Sequence, residues 1–107
     1  MEKTRIEFLE EALEANPHDT FARYALAMEL SNSVRADEAW QHFEYLLKNH
    51  PEYSATYYQA GMFLARQGRR EEAQKILAQG IEVTRRQGNH HAESELEAAL
   101  DDLKNED

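Results

Sequence analysis

The sequence predicts an all-α fold of about six helices, arranged as antiparallel pairs in an α-solenoid. Apolar residues recur at helical spacing along nearly the whole chain, and no segment alternates with the two-residue period of a strand. The chain also repeats itself, because Tyr24 and Met28 precede Tyr58 and Met62 by 34 residues. A helix pair that returns at a fixed period cannot bury its apolar face alone, so successive pairs are expected to stack.

The first predicted helix covers residues 4–15 and forms a partial repeat before the first full one. Thr4 and Glu7 are spaced as a capping box, and apolar residues at helical spacing follow them. The pattern stops before Pro17, which cannot continue a helix without breaking its hydrogen bonds. The chain is therefore expected to turn at this point.

Two full repeats are predicted, at residues 17–50 and 51–86. In each of them an apolar helix leads into a turn, at residues 31–33 in the first repeat and 67–68 in the second. A second helix is then expected to begin beside two adjacent acidic residues, because carboxylates favour the positive end of a helix dipole. These acidic pairs are Asp37 with Glu38, and Glu71 with Glu72.

A final capping helix is predicted at residues 89–104. Gly88 is suited to end the preceding helix, and Asn89 is suited to cap the new one. This last helix is acidic, whereas residues 66–86 carry a net positive charge. Two interpretations remain open from the sequence: the acidic helix docks beside the basic stretch, or both are merely solvated faces.

Length and composition limit the classes of function. With 107 residues the chain is long enough for one compact domain, and we predict a single domain over residues 1–107. The absence of cysteine excludes disulfides, thiolate nucleophiles and cysteine-ligated metal sites. The formal net charge of −9 argues against binding a nucleic acid. The sequence has no signal peptide and no segment of membrane-spanning length, so we predict a cytoplasmic protein without membrane association.

Small and bulky residues stand at fixed offsets in the second repeat: Tyr57, Ala60, Gly61, Leu64, Ala73, Leu77 and Gly80. This pattern resembles the tetratricopeptide repeat. The first repeat departs from the motif at Arg23, where an aromatic residue belongs, and at Leu46, where a small residue is usual. The second departs at Arg85, which replaces the final proline. The resemblance implies a tetratricopeptide-like superhelix that acts as a non-enzymatic protein-interaction module without a cofactor.

By position, the resemblance implies a concave groove that holds a peptide or a helix of a partner protein. The implied groove residues are Phe21, Tyr24, Met28, Asn32, Tyr58, Met62 and Arg66. Aromatic rings and thioethers are favoured materials for protein-binding surfaces. The alternative is that these side chains only pack beneath a flanking helix. Arg66 and Arg70 would suit an acidic partner, although surface arginines often serve solubility alone.

Two other hypotheses belong to different classes of protein. In the first, the ends of the array pair two copies into a structural homodimer, through apolar surface expected at Ile6, Phe8, Leu13 and Trp40. The second is a hydrolase or a metal-dependent enzyme. His91 and Glu95 are four residues apart and can share a helix face, but two ligands without a third do not define a metal site. We therefore assign no catalytic residue and no metal ligand.

Overall fold

The computed structural model describes residues 2–106, and these residues form six α-helices and one short 3-10 helix. The α-helices are α1 (Arg5–Ala15), α2 (Thr20–Ser31), α3 (Ala39–Asn49), α4 (Ala55–Arg66), α5 (Arg70–Gln87) and α6 (His90–Lys104), and the 3-10 helix covers Ala36–Glu38. The described residues contain no strand, so the predicted all-α class is confirmed. Two compact units are present, one ending at His50 and one beginning at Pro51. The assignment of the whole chain to a single domain stays a prediction.

The predicted capping signals begin and end the helices as expected. The Thr4 hydroxyl accepts a hydrogen bond from the Glu7 amide at 3.1 Å, and the Glu7 carboxylate accepts one from the Thr4 amide at 3.3 Å. Asn89 caps α6 by accepting from the Ala92 amide at 3.3 Å. Gly88 ends α5 with a φ of 69°, in the left-handed region that favours glycine.

The first unit consists of α1, α2, the 3-10 helix and α3. Helix α2 packs against both α1 and α3. The buried side chains include Leu9, Leu13, Leu26, Leu30, Phe43 and Leu46. Arg35 joins the 3-10 helix to α1, because its guanidinium lies 2.8 Å from Glu10 and 2.6 Å from Glu38.

The second unit consists of α4, α5 and α6, and α5 packs against both of its neighbours. Two glycines allow α4 and α5 to approach closely. A Cβ atom at Gly80 would lie 2.5 Å from the Cβ of Tyr57, and one at Gly61 would lie 2.6 Å from a methyl carbon of Leu77. Small residues at these two positions are therefore required by helix packing, as the sequence pattern predicts.

The turn inside each repeat differs between the two units. In the second unit Gly68 adopts a φ of 78° after α4, and α5 begins two residues later. Val34 holds the equivalent position in the first unit, and no described residue other than glycine has a positive φ. A β-branched residue strongly disfavours that conformation, so the chain enters α3 through the 3-10 helix. The predicted helix start beside Asp37 and Glu38 is confirmed, because Glu38 is the N-cap residue of α3, which begins at Ala39. The preceding 3-10 helix was not predicted.

Candidate functional site

Tyr58, Met62 and Arg66 lie on one face of α4, because residues four apart stack on the same side of a helix. Tyr58 is 37% exposed and Met62 is half-buried. The side chains of their neighbours Tyr57 and Phe63 are buried in the core of the unit, and Gly61 is buried as well. The three predicted groove residues of the second repeat therefore share a face of α4 that is only partly buried in the core.

An open cleft of about 350 Å³ lies between this face of α4 and helix α6. Tyr58 and Met62 form its α4 side. The α6 side is formed by Glu95, Ala98, Ala99, Asp102, Leu103 and Glu106. Arg66 follows Met62 by one turn and is exposed, but it does not line the cleft. The cleft has an apolar floor and acidic residues at its edge.

Helix α6 is held in place by α5, which answers the question that the charge pattern left open. Arg85 on α5 pairs with Glu93 on α6 at 2.9 Å. The Arg70 guanidinium donates hydrogen bonds to the backbone carbonyls of Leu103 and Glu106, beside the C-terminal end of α6. The acidic helix thus docks beside the basic stretch. That Arg70 also serves an acidic partner stays a prediction, and within the chain its guanidinium caps α6.

The carboxylates at the cleft differ in their partners. Glu95 lies 3.0 Å from the Nε2 of His91. Within residues 2–106, no cationic side chain lies within ion-pair distance of the carboxylates of Asp102 and Glu106. Two acidic side chains are therefore available at the end of the cleft nearest the C-terminus of α6.

The sequence analysis missed the contribution of α6 to this cleft. Glu95 and Asp102 are seven residues apart, which places them on one face of α6 together with Ala98 and Leu103, and Glu106 follows just beyond the end of the helix. That spacing was a usable signal. What the sequence lacked was any indication that this face of α6 lies beside Tyr58.

The four predicted groove residues of the first repeat lie on α2 and at its C-terminal end. Phe21 is 68% exposed, whereas Tyr24 and Met28 are half-buried. The Asn32 side chain donates a hydrogen bond to the Met28 carbonyl at 3.1 Å and so helps to end the helix. Phe21 therefore contributes the largest exposed apolar surface of this set.

A second, smaller cleft of about 210 Å³ lies within the first unit. It is lined by Glu10, Leu13, Glu14, Arg23, Leu26 and His42. Burial lowers the pKa of His42 below its ordinary value, and the neighbouring Arg23 lowers it further. The Arg23 guanidinium lies 3.2 Å from the Nδ1 of His42, which fits a neutral ring that accepts the hydrogen bond there. This cleft places a neutral histidine between charged groups and assembles no nucleophile beside it.

The possible metal ligands remain a pair. His91 Nε2 and Glu95 Oε1 are 3.0 Å apart, which makes them a hydrogen-bonded or ionic pair on one turn of α6. In the part of the chain that the structure describes, no group of three or more His, Cys, Asp or Glu residues is placed to hold a metal ion. His90 instead lies 3.3 Å from Glu93.

The apolar residues expected at the ends of the array have different surroundings. Leu13 is buried in the first unit, and the expectation that it adds to the exposed surface is wrong. Ile6 and Trp40 are half-buried. Phe8 on α1 is 65% exposed and is the largest apolar side chain that this helix presents to solvent.

Over residues 2–106, the structure contains no helix with the length and apolarity that crossing a membrane requires.

Comparison with known proteins identifies the family of the chain. A model of the tetratricopeptide repeat family matches residues 34–100. The solution structure of a tetratricopeptide repeat domain protein from Salinibacter ruber is 38% identical, with a TM-score of 0.81 over 86% of this chain and 93% of that chain. A crystal structure of a tetratricopeptide repeat domain protein from the same organism is also 38% identical, with a TM-score of 0.78 over 84% of this chain and 100% of that chain.

A protein from Bordetella parapertussis shares the fold at 24% identity, with a TM-score of 0.83 over 96% of this chain and 90% of that chain. A comparison with curated proteins finds no match. The matched family model spans the second predicted repeat and half of the first, and the structural relatives confirm the all-α solenoid class. The chain therefore belongs to the tetratricopeptide repeat family.

Proposed function

We propose that the chain is a non-enzymatic module that binds a peptide or a helix of a partner protein through the first-helix faces of its repeats. Tetratricopeptide repeat proteins generally mediate protein–protein interactions. The observation that carries the proposal is the open cleft beside Tyr58 and Met62, which repeat the identities of Tyr24 and Met28. Core packing does not explain that identity, because Tyr58 and Met62 border an open cleft and Tyr58 is partly exposed.

Binding would rest on apolar burial with a few polar contacts. The exposed edge of an aromatic ring and a flexible thioether adapt to different apolar side chains. Each first-helix face is only about three turns long, so the buried area is small and the dissociation constant is expected on the order of micromolar.

The proposal is tested with a double variant, Tyr24→Glu with Tyr58→Glu. A carboxylate on each face would have to be desolvated by an apolar partner, so we expect at least about a tenfold loss of partner recovery. Affinity capture from the native lysate, read by quantitative mass spectrometry, measures the recovery of each protein. Circular dichroism checks that the helices remain.

The matched control is Gln41→Glu with Gln79→Glu, which adds the same charge at exposed positions on the second helices of the repeats. Loss of one discrete partner with the tyrosine variant alone supports the first-helix faces as the binding surface. Equal recovery by both variants would contradict the proposal.

A structural homodimer is the second candidate, and a specific observation favours it. Phe8 on α1 is 65% exposed and Phe21 on α2 is 68% exposed. Large apolar side chains with this exposure are common at surfaces that pair two copies of a protein. The first unit would supply this contact.

A further inference from the structure

We propose that the cleft between α4 and α6 selects a cationic peptide segment, with a Lys or Arg side chain held beside Tyr58 and the α6 carboxylates. This inference rests on the proposed function and specifies the chemistry of its partner. The segment would place one apolar side chain on the floor of the cleft and its basic side chains along the acidic edge.

The floor of the cleft suits an apolar side chain. Met62 and Leu103 supply flexible apolar surface. The short side chains of Ala98 and Ala99 leave space for a bound side chain along α6. Leu103 and Ala99 are themselves mostly buried, so their remaining surface adds to a floor that is already fixed by packing. A side chain entering here would contact a preformed surface, which limits the entropy lost on binding.

The edge of the cleft suits a cation. Glu95, Asp102 and Glu106 all lie on the α6 side, and no basic residue within 2–106 lines the cleft. Asp102 and Glu106 lack a cationic partner among the described residues, so a bound Lys or Arg would not have to displace an existing ion pair. The partly exposed ring of Tyr58 on the opposite wall offers a face for cation–π contact.

Among the described residues, the basic side chains of α5 form no ion pair with the carboxylates of this edge. Arg85 is paired with Glu82 and Glu93, and Arg70 donates its hydrogen bonds to backbone carbonyls. The net charge of −9 adds a long-range attraction for a basic partner and repels an acidic one. Charge therefore favours a cationic segment both at the cleft and at a distance.

The test uses a phage-displayed library of random twelve-residue peptides, selected on the full chain. Enriched peptides are synthesised and their affinities are measured by calorimetry against four proteins: the wild type, Tyr58→Glu, Asp102→Asn with Glu106→Gln, and a control. The control is Glu2→Gln with Glu44→Gln, which removes the same charge from exposed positions that line neither of the two clefts described above. Neutralising acids near the C-terminal end of α6 does not weaken that helix, because the helix dipole is unfavourable to negative charge there.

We expect the enriched peptides to carry an excess of Lys and Arg around an apolar residue. The Asp102→Asn, Glu106→Gln variant should bind them about tenfold more weakly than the control does, and added salt should weaken binding to the wild type. Enriched peptides without basic residues, or equal affinity for the variant and the control, would overturn the inference.

The outcomes separate this inference from the proposed function. If neutral or acidic peptides bind and the Tyr58→Glu substitution abolishes their binding, the cationic preference fails and the first-helix site stands. Both proposals fail if no peptide is enriched. They also fail if neither Tyr58→Glu nor the Asp102→Asn, Glu106→Gln variant changes the affinity for the enriched peptides. If light scattering shows a doubled mass that Tyr58→Glu abolishes, a second copy fills the cleft and the cationic partner is wrong.

Discussion

Arg23 and Tyr57 hold the same position in the two repeats and donate the same hydrogen bond. The Tyr57 hydroxyl donates to the carbonyl of Pro51 at 2.7 Å, and the Arg23 guanidinium donates to the carbonyl of Pro17 at 2.9 Å. Each bond fastens the first helix of a repeat to the residue that opens the repeat. The departure from the family motif at Arg23 therefore conserves a contact while it changes the side chain that makes it.

The departure from the family motif at Leu46 is related to the departure at Arg23. In the second unit the Cβ of Tyr57 occupies the space above Gly80. In the first unit the Arg23 guanidinium extends to a position 3.8 Å from the centre of the Tyr45 ring. Leu46, the counterpart of Gly80, is fully buried. At this contact between the two helices of a repeat, the large residue is Tyr57 on the first helix in the second unit. In the first unit it is Leu46 on the second helix.

Replacing Gly80 with alanine should destabilise the protein. The new Cβ would lie 2.5 Å from the Cβ of Tyr57, an atom that cannot move without its backbone. Overpacking of this kind costs about 1–3 kcal/mol, which exceeds the gain of about 1 kcal/mol from the higher helix propensity of alanine. Urea unfolding followed by circular dichroism measures the free energy of unfolding.

The control for this measurement is the neighbouring substitution Gln79→Ala, at an exposed position of the same helix. Its effect should stay within about 0.5 kcal/mol. A Gly80→Ala protein as stable as the wild type would show that α4 and α5 can separate without cost, contrary to the packing described here.

Helix α6 is stabilised at both of its ends and by contacts with α5. Acidic residues are spread along its whole length, including the last two turns, where the helix dipole disfavours them. Asn89 caps the N-terminal end, and Arg70 from α5 satisfies backbone carbonyls at the other end. The acidic wall of the cleft is therefore maintained by a basic residue from a different helix.

Arg70→Ala should loosen the last turn of α6 and leave the rest of the unit folded. The substitution removes charged hydrogen bonds to the Leu103 and Glu106 carbonyls, and such bonds contribute about 1–2 kcal/mol to local stability. Amide hydrogen exchange read by mass spectrometry should become faster over residues 100–106. Arg66→Ala serves as the control, because this exposed arginine does not contact α6 carbonyls in any hydrogen bond of the structure. Unchanged exchange with Arg70→Ala would contradict the capping role.

Local chemistry explains which elements the sequence predicts well. Thr4, Gly88 and Asn89 cap helix ends within a few residues of themselves, so their roles can be predicted from the sequence alone. The 3-10 helix was not predicted, because no residue pattern signals it. It arises because Val34 does not adopt the positive φ that Gly68 adopts in the second unit. The acidic wall of the cleft and the engagement of Arg70 were missed because both depend on residues about 33 or more positions apart that only tertiary packing brings together.

The net charge of the whole molecule predicts opposite responses to salt for the two candidate functions. Two copies that each carry a charge of −9 repel one another, and salt screens that repulsion over a Debye length of about 10 Å at 0.1 M. A homodimer formed through Phe8 and Phe21 should therefore strengthen as salt is added. Binding of a cationic segment should weaken under the same change, because salt screens an attraction.

The mass in solution should stay at the monomer value of 12.5 kDa when micromolar protein is examined at low salt. Repulsion between copies is strongest there, and two exposed phenylalanines offer less apolar surface than the roughly 1,200 Å² that a stable interface buries. Light scattering at about 0.02 M and about 0.5 M salt, on the wild type and on Phe8→Ser, makes the measurement. Phe8 is 65% exposed, so the serine variant should fold normally. A doubled mass at low salt would contradict the prediction, and its loss in Phe8→Ser would identify the homodimer as the function of this surface.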